Sequence, residues 1–274
     1  MSSPTRSLGL TATLTTPAGV VHFARRGTGS PILLLHDLGA DHRSFAGLAS
    51  LLTGRHHVVA MDLLGHGASE TAVDLSVPAQ TTAALHLLRD LQIEDVILIG
   101  HSLGGAVALE LAGEVPGTVR KVVLLAAGCY SFTLPLAWRL ARRRIVWRLL
   151  GRFAMERAVR SVGSLTRGKV DAAALPPLHG STSSRAGWAA LGRALRQITS
   201  EESLSAMEMV ADQDPVHPTL VIWGAEDRLV PAAAARLAFR GKRNVRFVEV
   251  AGGSHAVHEE EPGVVGDLVL EFLE

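Results

Sequence analysis

The sequence predicts an α/β fold: one mostly parallel sheet of eight strands, helices on both its faces, and a helical segment inserted late in the chain. Three observations lead there. Short apolar runs such as Ile32–Leu35 and Val96–Ile99 alternate with segments of helical period, as βα units around a parallel sheet do. The alternation stops between residues 129 and 200 and resumes at Pro218. Finally, Gly100-His101-Ser102-Leu103-Gly104 stands between an apolar strand and a helical run, Gly105–Leu111.

Each element has its own signal. Leu10–Thr15 and Val20–Arg25 flank Pro17-Ala18-Gly19 and read as a hairpin. Ile32–Leu35 has no polar side chain, which suits a strand buried on both faces. Phe45–Leu52 reads as a helix and His57–Met61 as the next strand. Gln80–Leu91 keeps its apolar residues on one helical face, and Val96–Ile99 leads to the serine. Lys121–Leu125, Leu220–Trp223 and Val245–Val250 complete the eight strands. Residues 129–200 read as several helices broken by Gly151, Gly163, Pro176-Pro177 and Gly180.

A serine between glycines at a strand-to-helix turn is a nucleophile elbow: the strained turn lifts the hydroxyl above the sheet edge. A serine hydroxyl is a poor nucleophile until a base takes its proton and a third group orients that base. On an open α/β sheet the partners follow in the order Ser, acid, His. Asp227 stands in the turn after Leu220–Trp223, and His255 in the loop after Val245–Val250. Three such groups on three loops at one sheet edge point to Ser102, Asp227 and His255 as a catalytic set. Glu226 is the rival acid, and His258 the rival base; His258 is expected at the surface. Leu103 N–H, directly after the nucleophile, is expected to serve the oxyanion hole.

These motifs resemble the α/β-hydrolase superfamily over nearly the whole chain. Besides the elbow, Trp223–Pro231 looks like the superfamily's acid loop, and Gly253-Ser254-His255 with Glu260 and Pro262 like its histidine loop. Asp62-Leu63-Leu64-Gly65-His66-Gly67-Ala68-Ser69 is similar to a loop after the fourth strand of many members. The resemblance implies a core domain, residues 1–128 with 201–274, and a helical cap, residues 129–200, over the site. It also implies that Leu38 N–H is the second oxyanion donor. At Asp37 the chain departs from the His-Gly usual there; an Asp capping its own loop backbone is the expected reason. The implied chemistry is hydrolysis of a small or medium apolar ester, thioester, lactone or related carbonyl compound through an acyl-enzyme, with no cofactor. Carbon–carbon bond hydrolysis, perhydrolysis and acyl transfer use similar residues, and a ligand sensor that retains the triad is a further alternative.

Composition bounds the rest. At 274 residues and 47% hydrophobic content the chain can bury one large core. A single cysteine, Cys129, excludes an internal disulfide; it is expected to be a buried inert thiol. With no apolar leader or long uncharged run, the expectation is a soluble cytoplasmic protein. The net charge of +1 hides an asymmetry: residues 129–200 hold thirteen Lys or Arg against two acids, and the remainder fourteen against twenty-four. Arg142, Arg143 and Arg144 lie between Trp138 and Trp147 in a helical pattern. This suits an anionic membrane surface, partner or substrate, but arginines paired with the acidic core are the favoured reading. Trp138, Leu140 and Leu149 are the expected substrate-contacting cap residues. No nucleic-acid motif accompanies the charge, and the histidines show no metal-ligand spacing.

Overall fold

The computed structural model describes residues 8–128, 185–200, 203 and 213–274. Eight strands form one sheet: β1 (Leu10–Thr16), β2 (Gly19–Arg26), β3 (Ser30–Leu35), β4 (His56–Met61), β5 (Val96–His101), β6 (Val119–Leu125), β7 (Thr219–Gly224) and β8 (Val245–Val250). Their spatial order is β1-β2-β4-β3-β5-β6-β7-β8. The β1–β2 hairpin is antiparallel, and so is its junction with β4; every other pairing is parallel.

The helices among the described residues are α1 (Ala46–Leu52), α2 (Val77–Asp90), α3 (Leu103–Glu114), α4 (Arg185–Ile198), α5 (Ala232–Phe239), α6 (Val257–Glu260) and α7 (Pro262–Leu273). Phe45, expected to open a helix, ends the 3-10 turn His42–Phe45 that precedes α1. The α2 helix starts three residues before the expected Gln80, because Ser76 caps it through Ala79 N–H and Pro78 fits its first turn. Of the expected insertion, α4 with Thr199 and Ser200 is described; Cys129, Trp138, Leu140, Leu149 and Arg142–Arg144 lie outside the described residues.

Alternation along the strands builds two cores. Leu33, Leu35, Val59, Met61, Leu98, Val221 and Trp223 face one side with α2, α3 and α5. Ile32, Leu34, Val58, Ala60, Ile97, Ile99, Leu220 and Ile222 face the other with α1 and α7. Central strands apolar at every position are what burial on both faces requires, at roughly 25 cal/mol per Å² of apolar surface removed from water.

The fold also fixes where chemistry can sit. The chain steps from β3 to β4 on one side, then returns to place β5 on the other, so strand order reverses between β3 and β5. Loops leaving the carboxyl ends of neighbouring strands diverge at such a point and leave a crevice. No helix among the described residues is long and apolar enough to cross a membrane.

Candidate active site

The elbow is built from close backbone contacts. Strand β5 ends at His101 and α3 begins at Leu103, so Ser102 makes the whole turn. Its φ of 50° and ψ of −112° lie where L-residues are strained, at a cost of order 1–3 kcal/mol. Ser102 N–H donates to Leu125 O at 3.0 Å, and Ser102 O accepts from Gly105 and Gly128 N–H, each at 2.9 Å. The flanking glycines are required by proximity: a Cβ on Gly104 would lie 2.0 Å from Leu35 O, and one on Gly100 2.2 Å from Gly104 O. Gly104→Ala should therefore destabilise the protein by about 3 kcal/mol, read as a shift in its urea midpoint. An unchanged midpoint would mean that the elbow is loosely packed.

The turn after β7 presents Asp227. Its Oδ1 accepts from Leu229 N–H at 2.8 Å and Val230 N–H at 2.9 Å, and Trp223 Nε1–H fastens the same turn by donating to Val230 O at 2.9 Å. The other oxygen, Oδ2, lies 2.8 Å from His255 Nδ1. Glu226 is exposed, and its backbone N–H is tied to Gly253 O, so Asp227 is the acid that reaches the imidazole. The His255 loop is held by Glu260, which accepts from Ser254 N–H at 2.7 Å and Ser254 Oγ–H at 2.6 Å.

His255 is 1% exposed, and its Nε2 makes no hydrogen bond. Burial alone would lower its pKa, but the hydrogen bond and charge of Asp227, followed by the charges of Asp37 and Glu260, raise it above 6.5. His101 Nε2 donates to His255 O at 2.9 Å and holds that loop from below. His258 is not at the surface as expected. The chain passes directly from His255 into α6, which packs against α1 and buries the His258 ring against Phe45, at 4.8 Å between centroids, and His101, at 4.4 Å.

Asp37 was expected to cap its own loop, and it does so while facing the site. Its Oδ1 accepts from Leu38 N–H at 2.6 Å and, at 3.5 Å, from Leu103 N–H. Oδ2 lies 4.0 Å from His255 Nε2. The two amides expected to bind an oxyanion thus converge on one carboxylate oxygen. Burial opposes ionisation of Asp37, yet the potentials of His101 and His255 and hydrogen bonds from the Ser102 side chain and Leu38 N–H hold its pKa below normal. His36 fixes the loop: its Nε2 accepts from Leu63 N–H at 3.0 Å, which leaves Nδ1 to donate to Asp37 O at 2.7 Å.

Among the described residues, two groups have the donor types for a divalent cation: Asp37 with His101 and His255, and His22 with His42 and Asp62. The second was not legible in the sequence, since its residues come from β2 and two separate loops. Asp62 there is already well bonded: its Oδ1 accepts from His42 N–H at 2.7 Å and lies 2.8 Å from His42 Nδ1, while Oδ2 lies 2.9 Å from His22 Nδ1 and accepts from Ala68 N–H at 3.0 Å.

Comparison with known proteins bears on the fold and the family. Residues 32–268 match the alpha/beta hydrolase family. An uncharacterised protein of Mycobacterium tuberculosis (strain ATCC 25618 / H37Rv) is 29% identical over 279 residues, covering 93% of this chain and 80% of that one. The 2-hydroxymuconate semialdehyde hydrolase of Pseudomonas sp. (strain CF600) is 32% identical over 218 residues, covering 75% of this chain and 73% of that one. Among solved structures, an alpha/beta hydrolase fold protein from Burkholderia ambifaria superposes with a TM-score of 0.85 at 21% identity, over 95% of this chain and 97% of that one. With an eight-stranded sheet of this topology and a match spanning most of its length, the chain belongs to the alpha/beta hydrolase family and is an enzyme of the hydrolase class.

Proposed function

We propose that the protein is a serine hydrolase of small or medium apolar esters, thioesters, lactones or related carbonyl compounds. Ser102 Oγ attacks the carbonyl carbon and His255 Nε2 takes its proton. Asp227 holds the imidazole tautomer and stabilises its cation. The Leu38 and Leu103 amides receive the developing oxyanion once the Asp37 carboxylate has moved off them. The proton on His255 passes to the leaving group, and water activated by the same Nε2 then releases the acyl group from Ser102.

The observation that carries this reading is the buried Asp227–His255 pair at 2.8 Å, its Nε2 without a hydrogen bond, together with a serine held at φ 50° in the elbow. Labelling with a fluorophosphonate, followed by peptide mapping, tests it: the adduct should sit on Ser102 and be lost in Ser102→Ala. Labelling elsewhere would reject the nucleophile. A second reading, carbon–carbon bond hydrolysis by the same residues, is favoured by the relative named 2-hydroxymuconate semialdehyde hydrolase. Assaying that semialdehyde beside a series of p-nitrophenyl esters decides between the two.

The raised pKa of His255 sets the pH dependence. Only neutral imidazole accepts the serine proton, so kcat/KM should rise with pH through a midpoint above 6.5. The groups facing His255 are Asp227, Asp37, Glu260 and His101; the three carboxylates favour its protonated form. A midpoint at or below 6.5 would mean that the ion pair does not control the base.

A further inference from the structure

The hole that should receive a substrate oxygen already contains an anion of the protein's own. Asp37 Oδ1 accepts from both amides, Leu38 N–H at 2.6 Å and Leu103 N–H at 3.5 Å, while Oδ2 stands 4.0 Å from His255 Nε2. A carboxylate bound in this way imitates the charge distribution of a tetrahedral intermediate. A carbonyl oxygen and Oδ1 are both acceptors, so they compete for the same two donors, and one must leave.

Displacement has a consequence for substrate choice. Rotated off the amides, the carboxylate, whose side chain is 22% exposed, loses two N–H donors while it stays beside the buried His101 and His255. Protonated His255 would compensate it, but His255 must be neutral to accept the serine proton. His101 stays beside the carboxylate throughout, but before attack only the substrate can bring a new positive charge to replace the two lost donors. We propose that Asp37 determines specificity at this site: its carboxylate fills the oxyanion hole of the free enzyme, and the site prefers acyl groups that carry a positive charge near the carbonyl over neutral ones. The inference rests on the serine-hydrolase reading above and deepens it.

Two isosteric substrates test it: p-nitrophenyl butyrate, and p-nitrophenyl 3-aminopropanoate, in which an ammonium replaces the terminal methyl. The quantity read is the ratio of their kcat/KM values, compared between wild type and variants so that intrinsic ester reactivity cancels. Asp37→Gly removes both plug and charge. It should raise kcat/KM for the butyrate at least tenfold and reduce the preference for the ammonium ester at least tenfold. Asp37→Asn keeps the shape and removes the charge; it should abolish the preference while gaining less on the butyrate. Being isosteric, it also decides the charge argument if the glycine variant is unstable. An ammonium preference unchanged in either folded variant, or a slower butyrate reaction in folded Asp37→Gly, overturns the inference. Ser102→Ala separates this from the parent reading: wild-type rates in that variant would sink the serine mechanism itself, whereas a dead Ser102→Ala beside unchanged Asp37 ratios sinks only the role of Asp37.

Discussion

Ser102→Ala should lower turnover of p-nitrophenyl butyrate on the order of 10⁴-fold or more, and His255→Ala should cost about as much, because nucleophile and base act as one unit. For the same reason the double variant should be hardly worse than either single one. Neither change should unfold the protein. Ser102 holds the elbow through its backbone N–H and C=O, which alanine retains, and alanine at φ 50° is no worse placed than serine. His255→Ala empties a buried site, so a melting curve belongs beside the rate. Activity within tenfold of wild type in folded Ser102→Ala would show that the carbonyl is attacked by something else.

Asp227→Asn should lower kcat on the order of 10³–10⁴-fold with little change in KM. The carboxylate accepts from Leu229 and Val230 N–H through one oxygen and faces His255 Nδ1 with the other. An amide placed there keeps its carbonyl on the two N–H groups and turns its NH₂ toward the imidazole. Nδ1 must then accept, the proton moves to Nε2, and the atom meant to act as base becomes a donor. Glu226→Gln alters an exposed side chain and should cost less than twofold. If the glutamine variant proves the more damaged, the acid has been assigned to the wrong neighbour.

What could be read in the sequence followed from period and punctuation. Ile32–Leu35, Val96–Ile99 and Leu220–Trp223 are apolar at every position because both sheet faces are covered, and all three are central strands. The places of Asp227 and His255 were legible because Asp227 follows one of these strands and His255 follows the mixed edge strand Val245–Val250, and the sheet brings both loops to a common edge. Less came through where direction mattered. Residue type indicated that Asp37 would cap its loop, but not that the shared oxygen would also meet Leu103, which is 66 positions away. The burial of His258 depends on α6 packing against α1, a contact between distant segments that no local pattern encodes. The His22–His42–Asp62 group likewise exists only once β2 lies beside β4.

The parallel ladder between β6 and β7, in which Val122 pairs with Thr219, closes the longest detour of the chain. Everything from β1 to β6 is contiguous in sequence, and so is the pair β7–β8. Closing a detour of that length is a late and slow event in folding, since its entropy is lost before its contacts form. The serine elbow belongs to the first block, whereas Asp227 and His255 belong to the second. Under the proposed mechanism, ribosomal synthesis completes Ser102 well before Asp227 and His255 exist, and the nascent protein stays chemically silent until β7 and β8 have docked.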